Sequence, residues 1–417
     1  MGCGGSNNNN LLLSENKNKK SNIIKTESKK NENIKSNNIY KNFKFKIDFK
    51  ENEDELLNNN VQNILLYTTS YNPSGNLFIY LDKTYKNIME TYSFRDTALG
   101  LTLIYEKGMK INDYINKDKF LVLINNDFEI YILLDGHGPF GDIIAQKVQD
   151  KVFSYFTKEE NQDLKDNYEK IFNTLYEEIQ NLLISNDKYN NDNEYDCILS
   201  GTSLSIIIKK DNFLYCSNVG NTTCFLYYVD QNIPSRFNID ILTIDDSKLE
   251  LDLTEQKIYD LKSFIGKKLS LFEAKIKHVY KNYNYGDEIR RIYEFGGELR
   301  KIADEKKLRI FVKGEYYPGV INSRSLGDRL ANCIGVISKP HCFKYKLKRN
   351  FNYKLFLYTD GIGNNVKQYD IINIIRNQAQ MNIFNGIKKI IDEAHTYFDN
   401  QNYSPDMTII IKEFKID

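Results

Sequence analysis

The chain has 417 residues, of which 41% are hydrophobic and 27% charged, a composition typical of a folded globular protein rather than a wholly disordered or fibrous one. Its 57 Lys and Arg residues nearly balance 56 Asp and Glu residues, and the net charge of +1 excludes any argument for nucleic-acid binding from overall charge. No apolar run approaches the roughly 18 residues of a membrane-spanning helix, and no CxxC spacing links the six cysteines. We therefore expect a reduced, intracellular protein with no nucleic-acid partner, no zinc knuckle and no disulfide framework.

The N-terminal segment has a composition of its own. Residues 1–60 contain 16 Asn, and residues 1–50 contain 11 Lys against 4 acidic residues. Such a segment buries too little apolar surface to offset the entropy lost on ordering. We expect a disordered tail over 1–60 and one domain over 61–417.

The first residues carry a lipidation pattern. Removal of Met1 would expose Gly2, Ser6 follows at the required spacing, and Cys3 is placed for palmitoylation. One myristoyl chain holds a membrane only marginally, so a second acyl chain or a basic stretch is needed, and the chain offers both. We expect acylation at Gly2 and Cys3 and a location at the inner, cytoplasmic leaflet of a membrane. A plain Gly/Ser leader is the alternative.

Short runs rich in β-branched and aromatic residues predict strands at 101–105, 120–124, 129–134, 202–208, 213–217, 224–229, 354–358 and 408–412. Windows of helical periodicity predict amphipathic helices at 142–157, 163–184, 253–262, 286–296, 368–378 and 382–397. His278 and His395 fall in helical patterns and are expected to be plain surface residues. Because helices and strands come in blocks, the pattern favours antiparallel sheets covered by helices, an α+β fold.

Two Asp-Gly pairs each follow directly on a predicted strand. They are Asp135-Gly136 and Asp360-Gly361. A carboxylate at a strand end, followed by a glycine that lets the backbone approach closely, suits a hard divalent cation. Either pair alone is more typical of a hairpin turn. Two such pairs in one chain indicate a two-metal centre for phosphoryl chemistry.

About a dozen short blocks stand in order along the chain: Lys107–Lys110, Asn116–Asp118, Asp135–Gly141, Ser200–Ser203, Asn218–Asn221, Leu242–Asp245, Arg291-Ile292, Gly296-Gly297, Tyr317–Gly319, Ser323–Asp328, Gly335–Ser338 with Pro340, Thr359–Gly361 and Asp406–Thr408. In this order, over about 107–412, the chain resembles the metal-dependent type 2C serine/threonine protein phosphatases. The resemblance implies a four-layer α-β-β-α sandwich of two antiparallel sheets flanked by helices, with metals at one sheet edge. Relative to that family, 249–288 is expected to be an insertion of one or two surface helices.

The resemblance also implies a ligand set for two Mg²⁺ or Mn²⁺ ions. Asp135 would bridge both ions, and Gly136 would offer its carbonyl oxygen. Asp360 would bind the first ion, and Asp118 would be a further carboxylate near the metals. Asp406 is also expected in the set, as a ligand displaced by one residue from the family position.

Catalytic and loop residues follow from the same resemblance. His137 would be the general acid that protonates the leaving serine or threonine oxygen, because its pKa lies nearest to neutrality. Lys110 would stand near the phosphate. Arg324 and Asp328 are expected to hold the loop structure rather than to react.

Several positions depart from the family pattern, and all lie near the expected metals. Lys117 stands where the family has Glu or Gln, while Asn221 and Asn364 replace acids. Pro405 occupies the last ligand position, so that Asp406 falls one residue later; in a strand this shift turns a side chain to the opposite face. Each change removes negative charge, and a lost carboxylate weakens the attraction for a dication by several kcal/mol even at an effective dielectric of about 20.

Two functions remain open from the sequence. The first is a membrane-tethered, metal-dependent phosphatase with a weakened metal site, which hydrolyses phosphoserine and phosphothreonine with a water that two metals activate. The second is an inactive pseudophosphatase that binds a phosphoprotein or another partner without turnover. The number of carboxylates at the metals is the feature that separates them.

Overall fold

The computed structural model describes the residues 64–68, 77–81, 84–88, 91–96, 99–108, 115–124, 127–185, 195–233, 237–249, 275–280, 283–302, 305, 307–366, 370–374, 383–396 and 404–416. The tail expected over 1–60 and the helix predicted at 253–262 lie outside these residues. No helix in the described part of the chain is long and apolar enough to cross a membrane.

The described strands, in chain order, are β1 (Ile64–Thr68), β2 (Leu77–Leu81), β3 (Thr84–Ile88), β4 (Thr91–Asp96), β5 (Leu101–Glu106), β6 (Asp118–Ile124), β7 (Glu129–His137), β8 (Gly201–Thr202), β9 (Leu204–Lys210), β10 (Phe213–Val219), β11 (Thr223–Asp230), β12 (Phe237–Ile241), β13 (Lys275–His278), β14 (Gly297–Lys301), β15 (Leu308–Val312), β16 (Pro318–Val320), β17 (Leu326–Gly327), β18 (His341–Lys346), β19 (Phe351–Tyr358) and β20 (Met407–Ile416). The described α-helices are α1 (Gly141–Phe156), α2 (Leu164–Ser185), α3 (Tyr285–Glu294), α4 (Arg329–Asn332), α5 (Asp360–Gly363) and α6 (Ile383–Thr396).

These strands form two large sheets and a small one. The first sheet has the order β18-β10-β9-β7-β6-β1-β2-β3, with β8 and β17 attached at the end of β7. The second has the order β13-β12-β11-β19-β20-β5-β4, and β14-β15-β16 form the small sheet. Among the described pairs only β12 and β13 run parallel. The long strands β6, β7, β19 and β20 lie in the middle of the large sheets, where both faces are covered.

Strand β7 shows how the layers are built. Side chains of a strand alternate between the two faces, and Ile130 and Ile132 of β7 pack under α1 and α2. Tyr131 and Leu133 face the second sheet instead and join the core between the sheets. On the outer face of the second sheet, residues of α6 such as Ile387 complete a third apolar layer. Three apolar layers between helices, sheet, sheet and helices confirm the expected α+β, four-layer fold.

The predicted elements agree with the structure except at a few places. Every predicted strand falls on an observed one, and four of the six predicted helices correspond to α1, α2, α3 and α6. Of the helix predicted at 368–378, the described part is helical over 370–374. The helical interpretation of His278 is wrong, because His278 is the last residue of β13 and pairs with Ile241.

His395 does lie in a helix but is not a plain surface residue. Its ring is 29% exposed, and Nε2 lies 2.5 Å from Oε1 of Glu106. A half-buried imidazole next to a carboxylate ties α6 to β5, which explains why this position is not simply solvated. The expectation of a plain surface role for His395 is therefore corrected.

Candidate functional site

Two acidic residues meet on the central strands of the first sheet. Asp118 begins β6, and Asp135 lies near the end of β7, directly opposite it in the antiparallel register. Residues that face each other in such a pair place their side chains on the same side of the sheet. The side chain of Asp118 is fully buried, so the pair concentrates negative charge at the point where β7 ends.

Two further acidic residues come from the facing second sheet. Asp360 opens α5 directly after β19, and Asp406 immediately precedes β20, the neighbour of β19 in the sheet. A side chain at Gly361 would bring a Cβ to 2.1 Å from the carbonyl oxygen of Asp406. Glycine after Asp360 is therefore required by this close approach, and the sheets together bring four carboxylates to one edge.

Threonines of the second sheet hold Asp118. The hydroxyl groups of Thr359 and Thr408 donate to Oδ2 of Asp118 over 2.8 and 2.7 Å. Burial, followed by the charge of Asp406, raises the pKa of Asp118 to about 8, although the two hydroxyl groups oppose this shift. A carboxylate that burial and like charges discourage from ionising is one that a cation would stabilise.

Asp135 of the first sheet and Asp360 of the second sheet also form an acidic pair. Their carboxyl groups lie within hydrogen-bonding reach, and burial together with the charges of Asp360 and Asp118 raises the pKa of Asp135 well above its usual range. Burial and like charge discourage two such carboxylates from ionising together, and a shared proton or cation would relieve this repulsion. The pair is therefore the strongest candidate for a metal ligand set in the described chain.

The amides that replace acids also contact this pair. The side-chain NH₂ groups of Asn221 and Asn364 both donate to Oδ2 of Asp360, over 2.8 and 3.0 Å. An amide can satisfy a carboxylate as a hydrogen-bond donor but adds no charge for a cation. Asp360 is thus stabilised by the protein itself.

Among the described contacts, Asp406 differs from the other three carboxylates in that it binds backbone amides. Its Oδ1 accepts a hydrogen bond from the backbone N–H of Gly108 at 2.9 Å, and its Oδ2 accepts one from the N–H of Lys117 at 3.0 Å. Both oxygens therefore bind backbone amides, which ties the chain before β6 to the start of β20. Whether Asp406 can also serve as a ligand stays a prediction.

Lys117 places a positive charge beside the acidic edge. Its Nζ donates to the carbonyl oxygen of Gly138 over 2.5 Å. Gly138 lies in the turn directly after His137. The charge of Lys117 also acts to lower the pKa of His137. An ammonium group at this turn stabilises the loop but disfavours a dication nearby.

The donor set fits one hard dication better than two. Asp135 and Asp360 provide two carboxylates within mutual reach, and carboxylate with carbonyl oxygen is the chemistry that Mg²⁺ and Mn²⁺ prefer. For a second ion the set is incomplete, since both oxygens of Asp406 bind amides. Across the described ranges, no three His, Cys, Asp or Glu side chains converge closely enough to hold a metal ion.

His137, at the end of β7, contacts a second carboxylate, that of Asp328. Its Nε2 lies 2.6 Å from Oδ2 of Asp328, whose side chain is fully buried, while the His137 side chain is 32% exposed. Burial lowers the pKa of His137, but the charge and hydrogen bond of Asp328 and the charge of Asp360 outweigh it and raise the pKa overall. Sequence reasoning assigned Asp328 to the loop alone and missed this contact, because nearly 200 residues separate the partners.

Arg324 does have the loop-holding role that was expected. Its guanidinium group contacts Glu288 of α3 through Nε and Nη2, at 3.2 and 2.6 Å. Glu288 also accepts from Arg291, and despite burial these two arginines lower the pKa of Glu288 to about 2. The network ties α3 to the loop that leads into β17. Lys110, Gly2 and Cys3 lie outside the described residues.

A cleft of about 770 Å³ opens beside Asp360. Asn221 and Asn364 line one wall, and Glu305 and Arg309 from the small-sheet region line another. The cleft therefore runs from the acidic edge toward the small sheet, and its volume falls within the usual range of ligand-binding clefts.

No protein-family model matches the chain. The chain is similar to probable protein phosphatase 2C 35 of Arabidopsis thaliana, with 23% identity over 292 residues that cover 70% of this chain and 75% of that protein. It is also similar to probable protein phosphatase 2C 1 of the same plant, with 22% identity over 63% of this chain and 54% of that protein. The chain thus spans only about half the length of the second relative.

Among solved structures, the crystal structure of the serine-threonine phosphatase 2C of Toxoplasma gondii aligns with a TM-score of 0.54 and 14% identity. The alignment covers 76% of this chain and 94% of that one. At this identity the likeness defines the class of fold, that of the type 2C phosphatases. The curated relatives share this likeness, and the expected resemblance to the type 2C protein phosphatases is confirmed.

Proposed function

We propose that the chain is a type 2C protein serine/threonine phosphatase with a weakened metal site, tethered to a membrane and acting on a phosphoprotein. The observation that supports this most is the juxtaposition of Asp135 and Asp360 with His137 at one edge of the sandwich. The paired carboxylates supply the metal-binding chemistry, and His137 supplies a proton donor next to them.

In this proposal, separate residues bind the metal, bind the substrate and donate the proton. Asp135 and Asp360, with the carbonyl oxygen of Gly136, would hold Mg²⁺ or Mn²⁺, which when bound makes water more acidic and neutralises phosphoryl oxygens. The cleft beside Asp360 would seat the phosphorylated side chain. His137 would donate a proton to the serine or threonine oxygen as it leaves.

Turnover of a phosphoserine peptide by the full chain, with and without millimolar Mn²⁺, tests this function. We expect slow hydrolysis that needs Mn²⁺ and that EDTA abolishes. Hydrolysis unaffected by EDTA would contradict a metal-dependent mechanism. Absence of turnover at every Mn²⁺ concentration would favour the second candidate.

That second candidate is a pseudophosphatase that binds a phosphoprotein or partner without turnover. It is favoured by the ammonium group of Lys117 beside the acidic edge and by the backbone amides that take both oxygens of Asp406. These contacts satisfy groups that a two-metal site would need free. Retention of the phosphopeptide without hydrolysis would support it.

The proposal of membrane tethering rests on the N-terminal residues of the sequence. Gly2, Cys3 and the basic residues after them act together, because each basic residue near an anionic leaflet adds about 1 kcal/mol. Expressed in eukaryotic cells, a Gly2→Ala variant should move from the membrane fraction to the soluble fraction. Gly5→Ala, which leaves the acceptor glycine in place, is the matched control. An unchanged distribution of Gly2→Ala would refute acylation at this site.

A further inference from the structure

His137 and Asp328 meet across a strand of two residues. In the register of β8, Gly201 pairs with His137 of β7 on one side and with Gly327 of β17 on the other. A Cβ at Gly201 would lie 2.4 Å from Oδ2 of Asp328. The missing side chain therefore leaves the space through which the carboxylate reaches the ring.

The carboxylate of Asp328 is held from several sides. Its backbone N–H donates to the carbonyl oxygen of Ser200 at 2.9 Å, and its Oδ2 accepts a hydrogen bond from the hydroxyl group of Ser325 at 2.6 Å. The side-chain amide of Gln180 binds both the N–H and the carbonyl oxygen of Gly327, each over 2.9 Å. The position of the carboxylate is thus fixed by the scaffold before any substrate arrives.

Asp328 has features that a purely structural residue would not need. Its φ of +45° lies in the left-handed region, which is uncommon for a residue other than glycine. Its Oδ1 is buried without a hydrogen-bond partner among the described residues, and an unsatisfied buried oxygen costs stability. Strain and an unpaired polar group in one residue are typical of a functional position.

We propose that Asp328 is a positioning residue for His137, which fixes the proton of the imidazole on Nε2 and leaves Nδ1 for the substrate. The inference rests on the proposed phosphatase function, because the step it serves is protonation of the leaving group. An ionised carboxylate can only accept, so Nε2 must be the donor in their contact. As a water oxygen bonds to phosphorus and that water gives up a proton, the ester P–O bond breaks; its electron pair passes to the serine or threonine oxygen, which takes the proton from Nδ1 of the imidazolium.

Imidazole NMR shifts of the full chain labelled with ¹³C,¹⁵N-histidine test the positioning without turnover. The spectrum contains four histidines, and His137→Gln assigns the signal of His137. At a pH where the rings are neutral, we expect wild-type His137 to carry its proton on Nε2. Asp328→Asn should change the ¹⁵N and ¹³Cδ2 shifts of His137 toward the other tautomer, while the signals of His341 and His395 stay in place.

Two further variants distinguish the loss of the contact between Asp328 and His137 from a general disturbance of the fold. Ser325→Ala removes the other hydrogen bond to the same oxygen but keeps the carboxylate and its charge, so it should shift the tautomer of His137 less than Asp328→Asn does. Gly201→Ala keeps the charge of Asp328 but displaces the carboxylate, and should shift the tautomer as Asp328→Asn does. Unchanged His137 signals in both folded Asp328→Asn and folded Gly201→Ala would overturn the proposal, as would a wild-type ring protonated on Nδ1 alone.

The kinetic arm compares two leaving groups. For a phosphoserine peptide, whose alkoxide needs a proton, Asp328→Asn should lower kcat at least about tenfold with little change in KM. For p-nitrophenyl phosphate, whose phenolate leaves unprotonated, the loss should stay within about twofold. Equal losses on both substrates would overturn the positioning role. If the wild-type chain turns over neither substrate, the proposed function fails, and the NMR result alone decides the role of Asp328.

Discussion

Replacement of Asp135 by Asn should abolish Mn²⁺-stimulated hydrolysis of a phosphoserine peptide, with a loss of at least about a thousandfold in kcat/KM. Of the carboxylates of Asp135 and Asp360, that of Asp360 already accepts hydrogen bonds from the amides of Asn221 and Asn364, so we expect metal binding to depend most on Asp135. An Asn side chain keeps the shape of the residue but removes one full charge from the metal ligands, which costs several kcal/mol of attraction for a dication. Initial rates at saturating Mn²⁺ measure the effect.

The fold should tolerate this change. Asp135 itself sits among like charges, and burial with the charges of Asp360 and Asp118 already raises its pKa. Removing the charge relieves repulsion, so the melting temperature should stay equal to or above that of the parent. Asp211→Asn, in the turn at the opposite end of β9, removes the same charge and should keep full activity. Full activity of Asp135→Asn would refute the metal-ligand role.

Much of the fold could be predicted from local sequence because its central strands are buried on both faces. Strand β7 carries an unbroken apolar run that packs under helices on one side and against the second sheet on the other. Such runs end at the acidic residues, so the same pattern that predicts the strand also locates Asp135. The long helices α1 and α2 are likewise predicted by the helical periodicity of their apolar residues.

The elements that were missed have weaker local patterns. The small sheet uses the short strand β16 and the polar strand β14, in which Glu298 and Arg300 form an ion pair. Strand β13 pairs parallel with β12, and the helical spacing read around His278 gave no sign of that partner. In each case the partner strand, rather than local preference, decides the structure.

The site could be predicted as a set of residues but not as a set of contacts. Motif order located Asp118, Asp135 and Asp360, which two facing sheets bring to one edge. Nothing in the sequence indicates that Asp406 binds the N–H groups of Gly108 and Lys117, which lie almost 300 residues earlier. A separation of nearly 200 residues likewise conceals the contact between His137 and Asp328, since hydrogen bonds between remote segments leave no periodic signal.

Restoring acids at the substituted positions should recover metal affinity in steps. Lys117→Glu changes the local charge by two units and removes the ammonium group from Gly138, so it should tighten Mn²⁺ binding at least about tenfold. Pro405→Asp adds a carboxylate one residue before Asp406 and restores a backbone N–H. The double variant should bind about 100-fold more tightly than the parent.

Calorimetric titration of the full chain with Mn²⁺ measures these steps. Lys151→Glu on α1 is the matched control, because it reverses one charge in a pair with Glu178 on the helical face of the protein and should leave the Mn²⁺ affinity unchanged. A gain in affinity for Lys117→Glu that the control lacks would localise the weakness to the turn after β7. Tight Mn²⁺ binding by the parent, with no gain in the double variant, would show that Asp406 or another group already completes the ligand set. The weakened site would then be refuted, and the case for a pseudophosphatase would lose the charge argument on which it depends.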